Sequence, residues 1–338
     1  MGSRNRMTSA LRTSSRGGLS LSGLLFAAAG GWAVYSHYGI NHNLPIAEAI
    51  PAEQGSLYSK NSGRLNYYVD RQGEGRPLVL IHSVNAAASS YEMGPLFTHY
   101  RGKRPVFALD LPGYGFSERS ERVYTPELFS GAIEDFLDQV VKEPADVVAL
   151  SLGAEFAARV ALARPELIHS LTLISPSGLN RRSGGSKSVV GRMYGFGNLV
   201  HMLLSFPLWA RPIFDLIATR SSIEYFLGKS FVGPIPPGFV AYDYASAHQP
   251  GAQHAPLYFL SGKLFTSHVR SVVYERVRTP TLVIYDRDPY SNFDAIPELL
   301  LKNPAWQAVR LVPSLGLPHF ERLDDTVDVI DGFWKGVK

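Results

Sequence analysis

The run Val147-Val148-Ala149-Leu150-Ser151-Leu152-Gly153-Ala154-Glu155 decides how this chain is read. Apolar residues of strand character stop at a serine, and a helix-forming run begins at once. That is the pattern of a nucleophile elbow, a sharp strand-to-helix turn that lifts a serine hydroxyl above a sheet. Such a turn crowds the positions two before and two after the serine. Ala149 and Gly153 are small there, with alanine standing where glycine is usual. Glu155 falls in the first helical turn, where a carboxylate suits the positive end of the helix dipole.

The flanking sequence supplies a setting for the elbow. Upstream, Arg64-Leu65-Asn66-Tyr67-Tyr68-Val69-Asp70 reads as an early strand and Gly73-Glu74-Gly75-Arg76-Pro77 as a turn. Leu78-Val79-Leu80-Ile81-His82-Ser83 reads as a buried strand running out into a polar loop. Val106-Phe107-Ala108-Leu109 reads as another, followed by a turn in which Gly113 and Gly115 serve the backbone. Downstream, Pro280 to Tyr285 and Val309 to Pro313 read as late strands, the second leading to an amphipathic helix that reaches Phe333-Trp334.

From about Gly63 to Trp334 these segments resemble the α/β-hydrolase superfamily. The resemblance implies an α/β fold, with a mostly parallel central sheet flanked by helices and a helical cap insertion. It also implies an order along the chain of serine, then acid, then histidine. Ser151 is the implied nucleophile. Asp288, directly before Pro289, matches the acid position best. Asp286 is its rival, because this loop is one residue shorter than the common form and lacks its glycine; Asp294 is a distant third. His319 is the implied base and the only histidine between Ser314 and Glu321, yet family members more often place that histidine directly after the glycine, where this chain has Leu317. The Leu152 N–H and an N–H from the Ser83-Val84-Asn85 loop, assigned to Val84, are the implied oxyanion donors. His82 is expected to be structural, and Ser83 replaces a usual glycine.

An intact constellation would form an acyl-serine intermediate. Haloalkane dehalogenases and epoxide hydrolases of the superfamily use aspartate as nucleophile, so Ser151 disfavours both chemistries. Hydrolysis of an ester, thioester, lactone or carbon–carbon bond remains, together with acyl transfer. The departures at Ser83, Ala149, the Asp288 loop and Leu317 keep a non-catalytic binding protein of the same fold as an alternative. No spacing of histidines and carboxylates marks a metal site, and no cofactor is expected.

The expected organisation is a basic arm, apolar segment and tether over 1–55, a first core part over 56–178, a helical cap over 179–276 and a second core part over 277–338. The cap enters through the polar run Arg181 to Lys187, continues in apolar stretches at Leu199–Leu204 and Pro212–Ile217, and carries aromatic groups such as Phe239, Tyr242, Tyr258 and Phe265. Such a lining points to a small substrate with an apolar acyl or alcohol part. The absence of cysteine excludes a disulfide scaffold, and the formal charge of +4 owes much to Arg4, Arg6, Arg12 and Arg16, so no nucleic-acid partner is expected.

Gly17 to Ala47 holds no Asp, Glu, Lys or Arg and is mainly apolar from Leu19 to Tyr38. About 20 such residues can span a bilayer. The first expectation is an uncleaved membrane anchor with the catalytic domain on the non-cytoplasmic side. A cleaved signal peptide and an organellar presequence remain open beside it. Asn43 to Gln54 is expected to be a tether.

Overall fold

The computed structural model describes residues 21–180 and 197–337. The arm arginines and the cap entry at Arg181–Lys187 lie outside the described residues. The chain divides into two units, Met1–Ile40 and Asn41–Lys338. In the first unit, helix α1 (Leu21–Gly39) forms in the expected apolar segment. Among the described residues, however, no helix is long and apolar enough to cross a membrane. The expected anchor is corrected accordingly, since no described helix supports it. Composition is the reason: the 19 residues of α1 include four glycines, two serines and His37, which give up much of the transfer energy that the leucines supply.

In the second unit an eight-stranded sheet runs in the order β1-β2-β4-β3-β5-β6-β7-β8. Its strands are β1 (Glu53–Ser59), β2 (Gly63–Asp70), β3 (Leu78–Ile81), β4 (Val106–Leu109), β5 (Ala145–Leu150), β6 (Ile168–Ile174), β7 (Thr281–Tyr285) and β8 (Trp306–Arg310). β2 is antiparallel to β1 and β4, and the remaining pairings are parallel. Parallel strands covered on both faces read as continuous apolar runs rather than alternating ones, which explains Leu78–Ile81 and Val147–Leu150. The pleat then sorts neighbours to opposite sides. Val79, Ile81, Val147 and Ala149 enter one core, while Leu78, Leu80, Val148 and Leu150 enter the other.

Helices close each core. Helix α2 (Gly94–Tyr100) gives Leu96 and Phe97 to the second core, and α3 (Pro126–Phe136) gives Phe129, Ile133 and Phe136 to the first. The start of α3 is legible: Thr125 accepts from the Leu128 N–H at 3.2 Å, and Pro126 occupies the first turn, where its missing N–H costs nothing. Helix α4 (Leu152–Ala163) packs beside α3, with Phe129 stacked on Phe156 at 4.8 Å. Between β6 and β7 the described chain is helical: α5 (Gly197–Leu204), α6 (Ala210–Ile217), α7 (Arg220–Gly228), α8 (Phe239–Ala247) and α9 (His254–Leu260). After β7 come α10 (Ile296–Lys302), the short α11 (Pro318–Glu321) and α12 (Leu323–Gly336), whose Val327, Ile330 and Phe333 repeat at helical spacing into the second core.

The expected tether is not a free linker. Ala49 and Ile50 are buried, the Ala49 N–H donates to the Tyr68 hydroxyl at 3.0 Å, and β1 begins at Glu53. Nearer its start, His42 Nε2 lies 2.9 Å from Asp215 of α6. The prolines and polar residues of this stretch hid the few apolar side chains that dock it.

Candidate active site

The parallel strands deliver their carboxyl ends to one edge of the sheet, the edge where open α/β sheets hold their ligands. β3 and β5 are neighbours there, with Ile81 opposite Ala149, so the polar loop after β3 meets the elbow after β5. Ser151 takes φ 52° and ψ −117°, a conformation a non-glycine residue rarely adopts. Its N–H donates to Ile174 O at 2.9 Å, and its carbonyl accepts from Ala154 N–H at 3.2 Å and Ser177 N–H at 3.3 Å. With both backbone groups held, the half-buried side chain is set by the turn.

Gly153 explains why the elbow needs a glycine two places on. A Cβ there would overlap the His82 carbonyl oxygen, so the first turn of α4 can lie against the β3 loop only without a side chain. Gly153→Ala is expected to destabilise by about 1–3 kcal/mol, the usual range for overpacking. Thermal unfolding checks this; an unchanged melting temperature would mean that the elbow and loop separate without loss.

Leu152 is the first residue of α4, so its N–H has no acceptor within the helix. Val84 is buried in the facing loop. The loop is held by a residue that the sequence reading missed. Glu92, fully enclosed, accepts from the Ser83 N–H at 2.8 Å through Oε2, and from Ser83 Oγ at 2.9 Å and Asn85 Nδ2 at 2.9 Å through Oε1. Burial pushes its carboxyl up to about 7 against these hydrogen bonds, which favour the ionised form. The only signal in sequence was an acid set in the apolar run between Tyr91 and Met93. His82 is structural, as expected. Its Nε2 accepts from Leu111 N–H at 2.9 Å and its Nδ1–H donates to Ser83 O, while burial drives its pKa down to about 4.

Glu155 has more to do than face a helix dipole. It is buried, accepts from Ser177 Oγ and from Thr266 N–H, and so fixes the Ser175–Gly178 turn whose Ser177 N–H holds the Ser151 carbonyl.

The two aspartates beyond β7 separate cleanly. Asp286 accepts from Arg310 Nε at 2.8 Å and Ser314 N–H at 3.0 Å. Burial opposes its ionisation, but these donors outweigh burial and hold its carboxyl below the usual value. It is a brace between β7 and the loop after β8. Asp288 caps its own turn, accepting from Tyr290 N–H at 2.6 Å and Ser291 N–H at 3.2 Å through Oδ1, and burial lifts its carboxyl to about 6. Its other oxygen faces Gly316, where a Cβ would stand 3.3 Å away. Asp294 is exposed.

His319 is 0 % exposed. Its Nε2–H donates to the Glu92 carbonyl at 2.7 Å, which leaves Nδ1 as the bare nitrogen, and Nδ1 has no partner. Burial lowers its pKa to about 4. Asp288 and the loop carrying His319 are therefore brought together through Gly316, whereas no hydrogen bond joins His319 to Asp288 or to Ser151 among the described residues. The buried Leu317 follows Gly316 at the place where a histidine is usual.

A strained serine elbow on this sheet, under a helical insertion between β6 and β7, defines an α/β-hydrolase architecture. The sequence pattern of the alpha/beta hydrolase family matches residues 78–329, and the chain belongs to that family. Among curated proteins it is similar to the uncharacterized hydrolase YugF of Bacillus subtilis, 33% identical over 120 residues that make up 35% of this chain and 43% of the relative. It is also similar to the pimeloyl-[acyl-carrier protein] methyl ester esterase of Nitrosospira multiformis, 33% identical over 118 residues, 33% of this chain and 43% of the relative. The chain thus spans less than half the length of these relatives. Among solved structures, a putative lipase from Acinetobacter baumannii superposes with a TM-score of 0.67 at 18% identity, covering 93% of this chain and 95% of that one, which is a likeness of fold. Both curated relatives carry hydrolase names, which supports a general hydrolase function.

Proposed function

We propose that the chain is a serine hydrolase that cleaves an ester or related acyl compound with an apolar part. The observation that carries this reading is the left-handed backbone of Ser151, in an elbow whose Gly153 lies against the His82 carbonyl at the start of the β3 loop. Strain of this kind costs about 1–3 kcal/mol and concentrates at sites where it serves a mechanism. The esterase name of one relative favours the ester class.

In this proposal Ser151 Oγ attacks the substrate carbonyl and its proton passes to His319 Nδ1, the imidazole nitrogen that carries a lone pair. The Glu92 carbonyl orients the ring from Nε2, a position in which a triad aspartate is more usual. The Leu152 and Val84 amides receive the oxyanion. His319 then protonates the leaving alcohol, and water enters by the same base to release the acyl group. The Ser151–His319 bond forms on substrate binding, since catalytic hydrogen bonds are often long in empty sites. Asp288 keeps the acid position but not, here, the orienting bond.

A second reading, a non-catalytic member of the family, is favoured by the same Gly316: the acid position faces a backbone there, and the buried Leu317 follows it where a histidine is usual. Labelling folded protein with a fluorophosphonate separates the two. Adduct at Ser151, located by mass spectrometry and absent from Ser151→Ala, supports the hydrolase; no adduct on folded protein supports the second reading.

A further inference from the structure

The stretch 41–52 belongs to no helix or strand, yet its burial alternates: His42, Leu44 and Ile46 are half-buried, while Asn43, Pro45 and Ala47 are exposed. An extended segment laid along a surface shows this pattern, because successive side chains point to opposite sides. Its two ends are held by different parts of the fold. At the cap end, His42 Nε2 lies 2.9 Å from Asp215 Oδ2 of α6, and Arg211 Nε donates to the other Asp215 oxygen at 3.0 Å. The Leu44 N–H donates to His248 O at 3.4 Å, and the Leu44 carbonyl accepts from Gln249 Nε2 at 2.8 Å. Both backbone groups of Leu44 therefore go to the turn that ends α8. At the core end, the Ala49 N–H donates to Tyr68 of β2, Ile50 is fully buried in the second core, and Arg101 donates to the Pro51 carbonyl at 3.1 Å. Toward its start, α8 packs against the neighbours of site residues. Phe239 meets Phe320, next to His319, at 5.2 Å, and Tyr91, next to Glu92, at 4.9 Å; Tyr242 stacks on Tyr91 at 4.5 Å.

We propose that residues 42–50 form a strap that holds cap helix α8 on the core, and that the strap lets go at its cap end to free the helix. The two ends differ in what breaks them. The cap end is held by a few separate hydrogen bonds, each of which adds little net stability because water replaces it on opening. The core end is held by the burial of Ala49 and Ile50, which is lost only when the second core itself opens. Local opening therefore starts at His42 and Leu44 and leaves the sheet intact. With the strap released, α8 keeps only its aromatic seat on Tyr91 and Phe320, beside the loop-holding acid and the proposed base. That release governs access to Ser151 rests on the proposed reading of the site; the strapping of α8 does not.

The test is hydrogen–deuterium exchange of the full chain, read by mass spectrometry, in wild type and in the double variant His42→Ala, Gln249→Ala. Peptides covering α8 should exchange at least about ten-fold faster in the variant, the scale set by losing two hydrogen bonds. Peptides covering β3 and β5 should exchange as in wild type. Unchanged exchange in α8 overturns the proposal, because the helix is then held by its other contacts alone. Equal acceleration in α8, β3 and β5 also overturns it, because the segment would then support the whole domain and not the cap. If the double variant does not fold, His42→Ala alone decides by the same comparison. Exchange is read whether or not Ser151 reacts, so a failure of the hydrolase reading and a failure of the strap are told apart.

Discussion

Ser151→Ala is expected to reduce hydrolysis of a short-chain aryl ester by about 10⁴-fold or more, the scale on which removal of a nucleophile acts when the oxyanion donors stay in place. Alanine keeps the strained backbone, so the melting temperature should not change. Ser151→Gly offers an independent check on the same residue. Glycine adopts φ 52° without penalty, and relief of about 1–3 kcal/mol should raise the melting temperature while turnover is lost. If Ser151→Gly is no more stable than the parent, the turn is not storing strain. If Ser151→Ala retains full turnover, the hydrolase reading fails.

The second large effect is a contrast. His319→Ala should abolish turnover on a similar scale, because it removes the proton acceptor, whereas Asp288→Asn should cost less than about ten-fold. In a conventional triad the loss of the aspartate charge costs roughly 10⁴-fold, since the imidazole then takes the wrong tautomer. Here the Glu92 carbonyl sets the tautomer, and no side-chain substitution at Asp288 alters it. A 10⁴-fold loss in Asp288→Asn would show that the loop rearranges to form the usual pair. The pH profile tests the same geometry. The base must be neutral, so activity is present above its pKa and lost as pH falls through it. Burial has lowered that pKa from 6.5 to about 4, and His319 should remain competent well below pH 6. An acid limb at the ordinary imidazole value in the wild-type profile would contradict the buried placement.

Much of the fold was readable because the strands are short apolar runs punctuated by glycine and proline, and parallel strands leave few other ways to cover both faces. Ser151, Gly153 and the two aspartates could be found because local turn chemistry restricts residue type at fixed spacing. Glu92 and Asp243 were not. Each is an acid that sequence reading assigns to solvent by default, and the folded chain buries both. The membrane anchor erred in the other direction: counting uncharged residues overstated a helix rich in glycine and serine.

Sequence by itself determined the family, the serine elbow and the order of the strands' functional ends, since these follow from local spacing and from which side chains a tight turn admits. The direction in which His319 faces could not follow from spacing. Its N–H is committed to a carbonyl 227 residues earlier in the chain, brought to 2.7 Å only when the loop after β8 packs against the segment leading into α2. The partners of Asp286 were likewise tertiary, because Arg310 at the end of β8 and Ser314 in the loop after it reach its carboxylate only once β8 lies beside β7. Partners of buried polar groups are chosen by three-dimensional packing, and in this protein they decide which groups remain free to act.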